Sequence, residues 1–236
     1  MTPRIRAAAF AITTIAAAAT ARAGNVSGKL DLPPSGAPPL RDPGFLDRVE
    51  NPHMPVKTID PTPLMVVVLE PAAPPSEGAS PSQVTWDLLG ASFAKPLLPV
   101  VAGTEVTIAN CRACRPASLF VDGAPDAIAK GVLNPKGTKQ LKTSKPGVLV
   151  VKDDELPSLI GRVAVFSSPY FAQPDPSGKF EIKDVPNGSY TVKVWYLDHF
   201  VERGNETINV EGKHSAEVPT VRVPTGFPGP GGAGGK

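Results

Sequence analysis

The chain has 236 residues, which is enough for one or two domains. Its 29 prolines and 22 glycines exclude a fold built on long helices, because proline removes a backbone donor and clashes with the preceding helical turn. The net charge of the whole sequence is only +2 at neutral pH, whereas nucleic-acid binders usually present a strongly basic surface. We therefore expect no nucleic-acid partner.

The first 23 residues have the organisation of a secretory signal peptide. Arg4 and Arg6 precede an uncharged, Ala-rich run that ends in the A-x-A pattern Ala21-Arg22-Ala23. The run, at about 15 residues, is too short to cross a bilayer as a helix. We expect residues 1–23 to be removed after Ala23, which leaves 21 Lys and Arg against 22 Asp and Glu, a net charge of about −1. The mature chain is then periplasmic or extracellular and has no transmembrane segment.

Residues 24–83 are predicted to hold two strands and a Pro-rich linker. The segment "GNVSGKL" alternates apolar and polar residues like a strand, and the apolar run Met65-Leu69 in "MVVVLEP" indicates a buried strand that ends at Pro71. The composition of "PAAPPSEGASPSQ", residues 71–83, is typical of a linker.

Residues 84–160 contain a series of short strand-like runs separated by Gly, Pro and Asn. Such spacing is typical of a β-sandwich or barrel. The predicted strands, including one that begins the next segment, are Val84-Leu88, Leu97-Val101, Glu105-Ala109, Ser118-Val121, Thr138-Leu141, Val148-Val151 and Gly161-Phe166.

Residues 161–223 carry the clearest pattern in the chain. Around a turn at Pro186-Asn187-Gly188, Phe180 and Ile182 alternate with polar residues on one side, and Tyr190, Val192 and Val194 do so on the other. Two alternating runs that flank a Gly turn predict an antiparallel pair with one buried face. Two further strands are expected at Thr207-Val210 and Glu217-Val223, before a Gly- and Pro-rich tail over 224–236 that we expect to be flexible.

The segment "GKFEIKDVPNGSYTVKV", from Gly178 to Val194, resembles the core motif of the carboxypeptidase regulatory-like domain, a transthyretin-like β-sandwich. Upstream, "LPVVAGTEVTIAN" (98–110) and "LNPKGTKQLKTSKPGVLVV" (133–151) resemble segments of cupredoxin-like domains in bacterial secreted proteins. The resemblance implies an all-β chain with two Greek-key-type β-sandwich modules. A cupredoxin-like module would cover 84–160 and a carboxypeptidase regulatory-like module 161–223.

The resemblance also implies where copper ligands would stand. Cupredoxins of this kind hold copper with two imidazoles, a thiolate and a weak axial thioether. Aligned on Asn110 and on Ser168-Phe171, the four ligand positions fall at residues that supply none of these groups: Pro116, Asp153, Leu156 and Leu159. A small register error changes nothing, because residues 115–168 contain no His, Cys or Met. We therefore expect a scaffold that has lost its copper site, and no cofactor.

The only two cysteines are Cys111 and Cys114. Export to an oxidising compartment favours a disulfide between them. On an extended strand these residues would lie about 10 Å apart, beyond the bridging limit of about 7 Å, so a disulfide requires a tight turn at Arg112-Ala113. Other possibilities stay open: two ligands of a metal site completed by acidic residues or a distant His, a redox pair, or unpaired or intermolecular thiols.

Three aromatic residues, Trp86, Trp195 and Tyr196, are candidates for a platform that stacks on sugar rings; the alternative is core packing, which the strand position of Trp195 favours. His199 has Asp198 and Glu202 near it, and His53 is followed by Met54. A basic stripe could dock an acidic partner or protect a strand edge from aggregation: Lys136, Lys139, Lys142 and Lys145.

No nucleophile–base pair or paired carboxylates stand out in the sequence, so we do not expect an enzyme. The leading hypothesis is a non-enzymatic secreted or periplasmic protein with a binding or scaffold role in the cell envelope. Its partner, a protein or a glycan, is unknown. The alternatives are a metal-binding or electron-transfer protein with non-standard ligands, and a carbohydrate-binding accessory module.

Overall fold

The computed structural model describes residues 23–32, 60–73, 82–201, 206–211 and 216–222. The predicted signal peptide up to Arg22, the predicted tail, and His53, Met54 and Glu202 lie outside the described residues. The described part is built from strands and two short 3-10 helices, Thr62–Leu64 and Pro125–Ala127, which confirms the all-β prediction. The strands are β1 Ala23–Asp31, β2 Met65–Pro71, β3 Gln83–Leu89, β4 Ser92–Phe93, β5 Leu97–Val101, β6 Glu105–Asn110, β7 Leu119–Val121, β8 Thr138–Lys142, β9 Gly147–Asp153, β10 Ile160–Phe166, β11 Phe171–Ala172, β12 Lys179–Pro186, β13 Gly188–Tyr196, β14 His199–Phe200, β15 Glu206–Val210 and β16 Ala216–Arg222.

The strands form four sheets that make two β-sandwiches. Sheet I has the order β4-β3-β6-β8 and sheet II the order β5-β10-β9-β7, and these two enclose the core of the first sandwich. Sheet III has the order β11-β2-β13-β14, with β15 paired to β13, and sheet IV has the order β12-β1-β16; these two enclose the core of the second sandwich. Within the described residues, no helix has the length and apolar character to cross a membrane.

Both N-terminal strands belong to the second sandwich. Strand β1 is the central strand of sheet IV, antiparallel to β12 and parallel to β16. Strand β2 pairs with β13 along its whole length, from Met65 to Pro71. The first sandwich is therefore inserted into the second, between β2 and β11.

The position of strand β10 does not agree with the expected boundary between the two modules at residue 161. It pairs with β9 and with β5, so it lies in sheet II of the first sandwich rather than in the module predicted for 161–223. Its Val163 and Val165 belong to the first core, whereas Ala164 and Phe166 belong to the second. The two cores thus meet across this one strand.

Sheet III is covered on both faces, which explains the continuous apolar run in β2. All five residues from Met65 to Leu69 are buried. On the face toward sheet II, the ring of Trp195 meets the ring of Phe166 edge to face, with centroids 5.5 Å apart. A strand enclosed by two layers needs apolar side chains at every position rather than at alternate ones.

The predicted pairing between the two alternating runs around Asn187 is wrong. Strand β12 pairs with β1 in sheet IV, whereas β13 pairs with β2 and β15 in sheet III. At the turn the chain crosses to the facing sheet, and the hydroxyl of Tyr190 donates a 2.9 Å hydrogen bond to the carbonyl of Pro186 across the corner. Alternating apolar residues show which face of a strand is buried. Two strands paired in one sheet and two strands in facing sheets of a sandwich both show this pattern, so it does not distinguish the two arrangements.

Candidate functional site

The predicted copper-ligand positions come together at one end of the first sandwich. One segment, residues 111–118, connects β6 to β7, and the other, residues 154–159, connects β9 to β10. The amide of Ser118 donates to Asp153 Oδ2 at 2.9 Å, and the amide of Asp154 donates to the carbonyl of Ser118 at 3.1 Å. The segment that holds Pro116 therefore lies directly against Asp153, at the end of β9, and against the segment that follows it.

Asp153 is the centre of this contact. Its side chain has no exposed surface. Besides the Ser118 amide it accepts hydrogen bonds at Oδ1 from Arg115 Nη2 at 2.6 Å, from the amide of Glu155 at 2.9 Å and from the amide of Leu156 at 2.7 Å. The two amides that follow it in the chain fold the loop around the carboxylate.

The pKa of Asp153 is set by two opposing effects. Burial raises the pKa of the carboxyl, because it disfavours the charged form. The hydrogen bonds from Arg115 and from the Leu156, Glu155 and Ser118 amides outweigh burial and hold the pKa of Asp153 below its usual value of 3.8. The group is thus an ionised carboxylate whose charge is neutralised by a cation and three amide donors.

Arg115, which the sequence analysis did not single out, supplies that cation. Its Nη2 contacts Asp153 and its Nη1 lies 3.1 Å from Glu155 Oε2, while 34% of its side chain stays exposed. A planar guanidinium suits this task because its fixed fork of donors reaches two carboxylates at once. The sequence offered one indication of this role, since Arg115 precedes the ligand position Pro116. It could not identify the partner of the cation, because the fold decides which segments lie together.

The other three positions carry no metal-binding group. Leu159 is buried, Leu156 is half-buried, and both pack in or against the first core. Pro116 is exposed. Among the described residues no group of three or more His, Cys, Asp or Glu side chains is arranged to hold a metal ion.

Asn110, the last residue of β6, is buried next to this cluster and joins it to the neighbouring loop by hydrogen bonds. Its Nδ2 donates to the carbonyls of Arg115 at 2.9 Å and Leu133 at 3.1 Å, and the residue is only 5% exposed. Its Oδ1 and the Nε of Arg115 are buried and lack a hydrogen-bond partner among the described groups. One is an acceptor and the other a donor, so each keeps an unused hydrogen-bonding capacity inside the site.

The cysteines beside this cluster form the expected disulfide. Cys111 and Cys114 are bridged, with Cα atoms 5.2 Å apart. The required turn is present at Arg112 and Ala113, with the amide of Cys114 pointing to the carbonyl of Cys111 at 3.5 Å. In this oxidised state the sulfur atoms are neither metal ligands nor free thiols.

Of the two alternatives for Trp86, Trp195 and Tyr196, the structure shows core packing and no sugar-stacking platform, because all three side chains are buried. Trp86 stacks on Phe93 in the first core, with ring centroids 3.8 Å apart. Trp195 and Tyr196 lie in the second core, where Trp195 Nε1 donates to the carbonyl of Leu197 at 3.2 Å. Each side chain lies on a covered face of its strand, so none forms an exposed stacking surface; Trp195 instead lines a small cavity beside Phe166 and Phe200.

Two other candidates remain at the surface. His199 Nδ1 lies 2.8 Å from Asp198 Oδ1, and both side chains are exposed, so the pair lacks the enclosure of an acid–base site. Lys139 and Lys142 lie in β8, which extends one residue beyond the predicted strand Thr138-Leu141 and is an edge strand of sheet I. Lys139 Nζ donates to the carbonyls of Ala129 and Gly131, which ties this end of the edge strand to the preceding loop.

No known family model matches the chain, and no curated protein matches it. Among solved structures, the chain is similar to amicyanins. A reduced proline-to-phenylalanine variant of amicyanin is 23% identical over 42% of this chain and 98% of that chain, with a TM-score of 0.32. Amicyanin from Paracoccus versutus (Thiobacillus versutus) is 17% identical over 42% of this chain and 97% of that chain, again with a TM-score of 0.32.

Proposed function

We propose that this chain is a non-enzymatic binding or scaffold protein of the cell envelope. In this proposal the first sandwich is a cupredoxin-like module in which an ion pair stands in place of the copper centre. The observation that carries the proposal is the 2.6 Å ion pair between Asp153, at the position where the resemblance puts the thiolate, and Arg115, the chain neighbour of Pro116 at the position of the first metal ligand.

The ion pair makes the same connection that a copper ion would make. In a copper centre of this kind, the metal joins the segment after β6 to the loop after β9 through ligands from both. Here Arg115 and Ser118 from the first segment bind Asp153 from the second. Charge-assisted hydrogen bonds are among the stronger polar contacts in proteins, so they can hold the two segments together without a metal.

The chemistry of the donor set opposes copper. Copper electron-transfer sites depend on a soft thiolate and imidazoles, and this end of the sandwich offers one hard carboxylate already engaged by four donors. To bind there, copper would have to displace the guanidinium of Arg115. A module without electron-transfer ligands retains its rigid β surface, which suits a binding or scaffold role.

The disulfide supports the proposed location. Disulfides persist in oxidising compartments such as the periplasm and are rare in the cytosol. A bridged Cys111–Cys114 pair therefore agrees with the export expected from the N-terminal sequence.

Copper titration tests the proposal. Mature oxidised protein, residues 24–236, is incubated with Cu(II) or Cu(I), desalted and assayed for copper content and for a thiolate-to-copper absorption band. We expect no retained copper and no band. One tightly held copper per chain would contradict the proposal and favour a metal-binding protein with non-standard ligands.

A variant with the ligands introduced is the matched comparison. It carries the substitutions Pro116→His, Asp153→Cys, Leu156→His and Leu159→Met. We expect this variant to retain copper and to develop the absorption band, because the two segments already lie together. Failure of a folded variant to retain copper would contradict the assignment of a cupredoxin-like module.

A further inference from the structure

The Cys111–Cys114 disulfide has a surface position that the proposed function does not use. The bridge closes a short ring whose inner residues, Arg112 and Ala113, are exposed and whose cysteines are half-buried. We propose that this disulfide is a thiol–disulfide exchange site that oxidises a dithiol of a partner protein. The inference goes beyond the proposed function and does not depend on it.

Two exposed cationic residues, Arg112 and Lys136, lie next to the bridge. Arg112 lies inside the ring, and the structure shows no ion pair between it and any described residue. Lys136 is exposed, and its amide is 3.3 Å from the carbonyl of Cys111. Cations beside a cysteine favour its thiolate form, and reactive cysteines occur in partly exposed, electropositive surroundings. The two cations would attract an incoming thiolate and stabilise the thiolate that leaves.

The ring keeps its shape by contacts other than the bridge. The amide of Cys111 donates to the carbonyl of Leu88 at 3.2 Å, and the amide of Lys136 donates to the carbonyl of Asn110 at 3.2 Å. On the far side, Asn110 Nδ2 holds the carbonyl of Arg115, which is itself fixed by Asp153. The bridge can therefore open while both cysteines stay in place to close it again.

The surface beside Cys114 is accessible to another chain. Leu89 is 56% exposed and offers an apolar contact at the rim. Gly90 follows it, and a Cβ built at Gly90 would lie 3.9 Å from Cys114 Sγ, so the absence of a side chain there leaves room beside the sulfur. An extended segment with a cysteine could approach over Gly90 and pack an apolar neighbour on Leu89.

The reaction balances with the partner as reductant. A partner thiolate attacks one sulfur of the bridge, the Cys111–Cys114 bond breaks, a mixed disulfide forms, and the released cysteine takes a proton from solvent. The partner's second thiolate then attacks the mixed disulfide, which forms the partner's disulfide and releases the second cysteine. Two electrons and two protons move from the partner dithiol to Cys111 and Cys114, one equivalent per chain.

The test mixes oxidised mature protein with an excess of an unstructured synthetic peptide that contains two cysteines. Samples are quenched with acid, alkylated and weighed by mass spectrometry, while circular dichroism follows the fold. We expect one peptide disulfide per chain with the fold unchanged, and a rate that falls as salt is added. Arg112→Glu should slow the exchange about tenfold or more, because it replaces attraction of the incoming thiolate by repulsion.

Lys29→Glu is the matched control, since Lys29 is exposed on β1 in the other sandwich and undergoes the same change of charge. Its exchange rate should equal that of the unaltered protein. A bridge that resists the peptide until denaturant is added would overturn the proposal. So would an Arg112→Glu variant that reacts as fast as Lys29→Glu.

Discussion

A single buried carboxylate organises the end of the first sandwich. An ionised group can be buried at acceptable cost only when it is paired and its lone pairs accept hydrogen bonds. Asp153 meets both conditions, through Arg115 and three backbone amides. Because two of those amides belong to the loop that Asp153 itself begins, the carboxylate determines the conformation of the loop as well as its attachment to β7.

Asp153→Asn removes the charge and keeps the size of the side chain. A carboxyl whose pKa lies below its usual 3.8 in the folded state stabilises the protein above that value, and this stability is lost as the pH falls through the lower, folded-state pKa. We expect Asn to cost about 1.5–3 kcal/mol at neutral pH, as for hydrogen bonds to a charged group. The difference from the unaltered protein should shrink below about pH 4, as measured by denaturant unfolding across the acid range.

Glu155→Gln is the control for this prediction. Glu155 contacts the same guanidinium, but its side chain is 71% exposed. Exposed ion pairs contribute about 0–1 kcal/mol, so this variant should unfold nearly as the unaltered protein does at every pH. If Asp153→Asn kept the full acid dependence, the buried carboxylate would not be a source of it.

Gly161 is required by the aromatic pair in the first core. A Cβ at this position would overlap the rings of Phe93 and Trp86, which stack on each other. Gly161→Ala should therefore lower the free energy of unfolding by about 1–3 kcal/mol, as overpacking does in close-packed cores. Gly188→Ala is the comparison, because its Cβ would meet only Tyr190 at 3.5 Å; that variant should change stability by less than about 0.5 kcal/mol.

At the scale of elements, the sequence predicts strands well and their partners poorly. The run Leu97-Val101 is β5 to the residue, and the Met65-Leu69 run is β2 up to its end at Pro71. The pairing of β12 with β13 was wrong, and β10 lies in the first sandwich, because apolar periodicity reports burial and carries no information about the neighbouring strand.

In the candidate site, too, the sequence predicts local geometry but not the contacts between distant segments. The tight turn at Arg112-Ala113 followed from covalent geometry, since a bridge between residues three apart permits little else. The role of Arg115 could not be predicted, because its partner Asp153 is 38 residues away and meets it only through sheet packing. Trp86 was assigned to either surface or core for the same reason: its strand alternates, and only the packing of sheet II on sheet I decides which face is covered.

Strand β10 couples the two cores, and Phe166 is the side chain that does so. It is 3% exposed and its ring contacts the rings of Trp195, Phe171 and Phe200. Phe166→Ala should cost about 3–5 kcal/mol, as is usual for a buried phenylalanine. Because these three partners lie in strands of sheet III, the substitution should mainly destabilise the second sandwich.

The two tryptophans allow this to be measured. Trp86 lies in the first core and Trp195 in the second, and the chain has no others. Variants with Trp86→Phe or Trp195→Phe report one core each by fluorescence. The two probes should unfold together in otherwise unaltered protein and separately after Phe166→Ala, with Trp195 first. Val163→Ala, which faces the first core from the same strand, should affect the Trp86 probe first; identical behaviour of the two variants would contradict the coupling.

In the whole molecule, the second sandwich is assembled from distant parts of the chain. Strand β1 lies between β12 and β16, and β2 lies against β13, while the first sandwich occupies the sequence between them. Contacts of this kind close long loops, so they form late relative to the pairings within the first sandwich, which have shorter sequence separations. The first sandwich can therefore begin to fold before the strand order of the second is complete.

Removal of β1 tests this dependence. Val26 and Leu30 are almost fully buried between the sheets of the second sandwich, and without β1 the strands β12 and β16 lose their shared neighbour. Each such side chain contributes about 1.5–3 kcal/mol of burial, to which the lost backbone pairing on both sides adds. In a chain that starts at residue 33 the whole second sandwich should unfold, so that Trp195 becomes solvent-exposed even though its ring faces sheet II, while Trp86 keeps its buried emission.

A synthetic peptide of residues 24–32 should restore the buried emission of Trp195 when it is added to that shortened chain, because it can pair with β12 and β16 as β1 does. The same peptide with Val26→Asp and Leu30→Asp should fail, since the backbone pairing would then bring two charges into the core. Native Trp195 emission in the shortened chain alone would show that the second sandwich folds without its central N-terminal strand. Rescue by both peptides would show that pairing alone, without burial of Val26 and Leu30, completes the sheet.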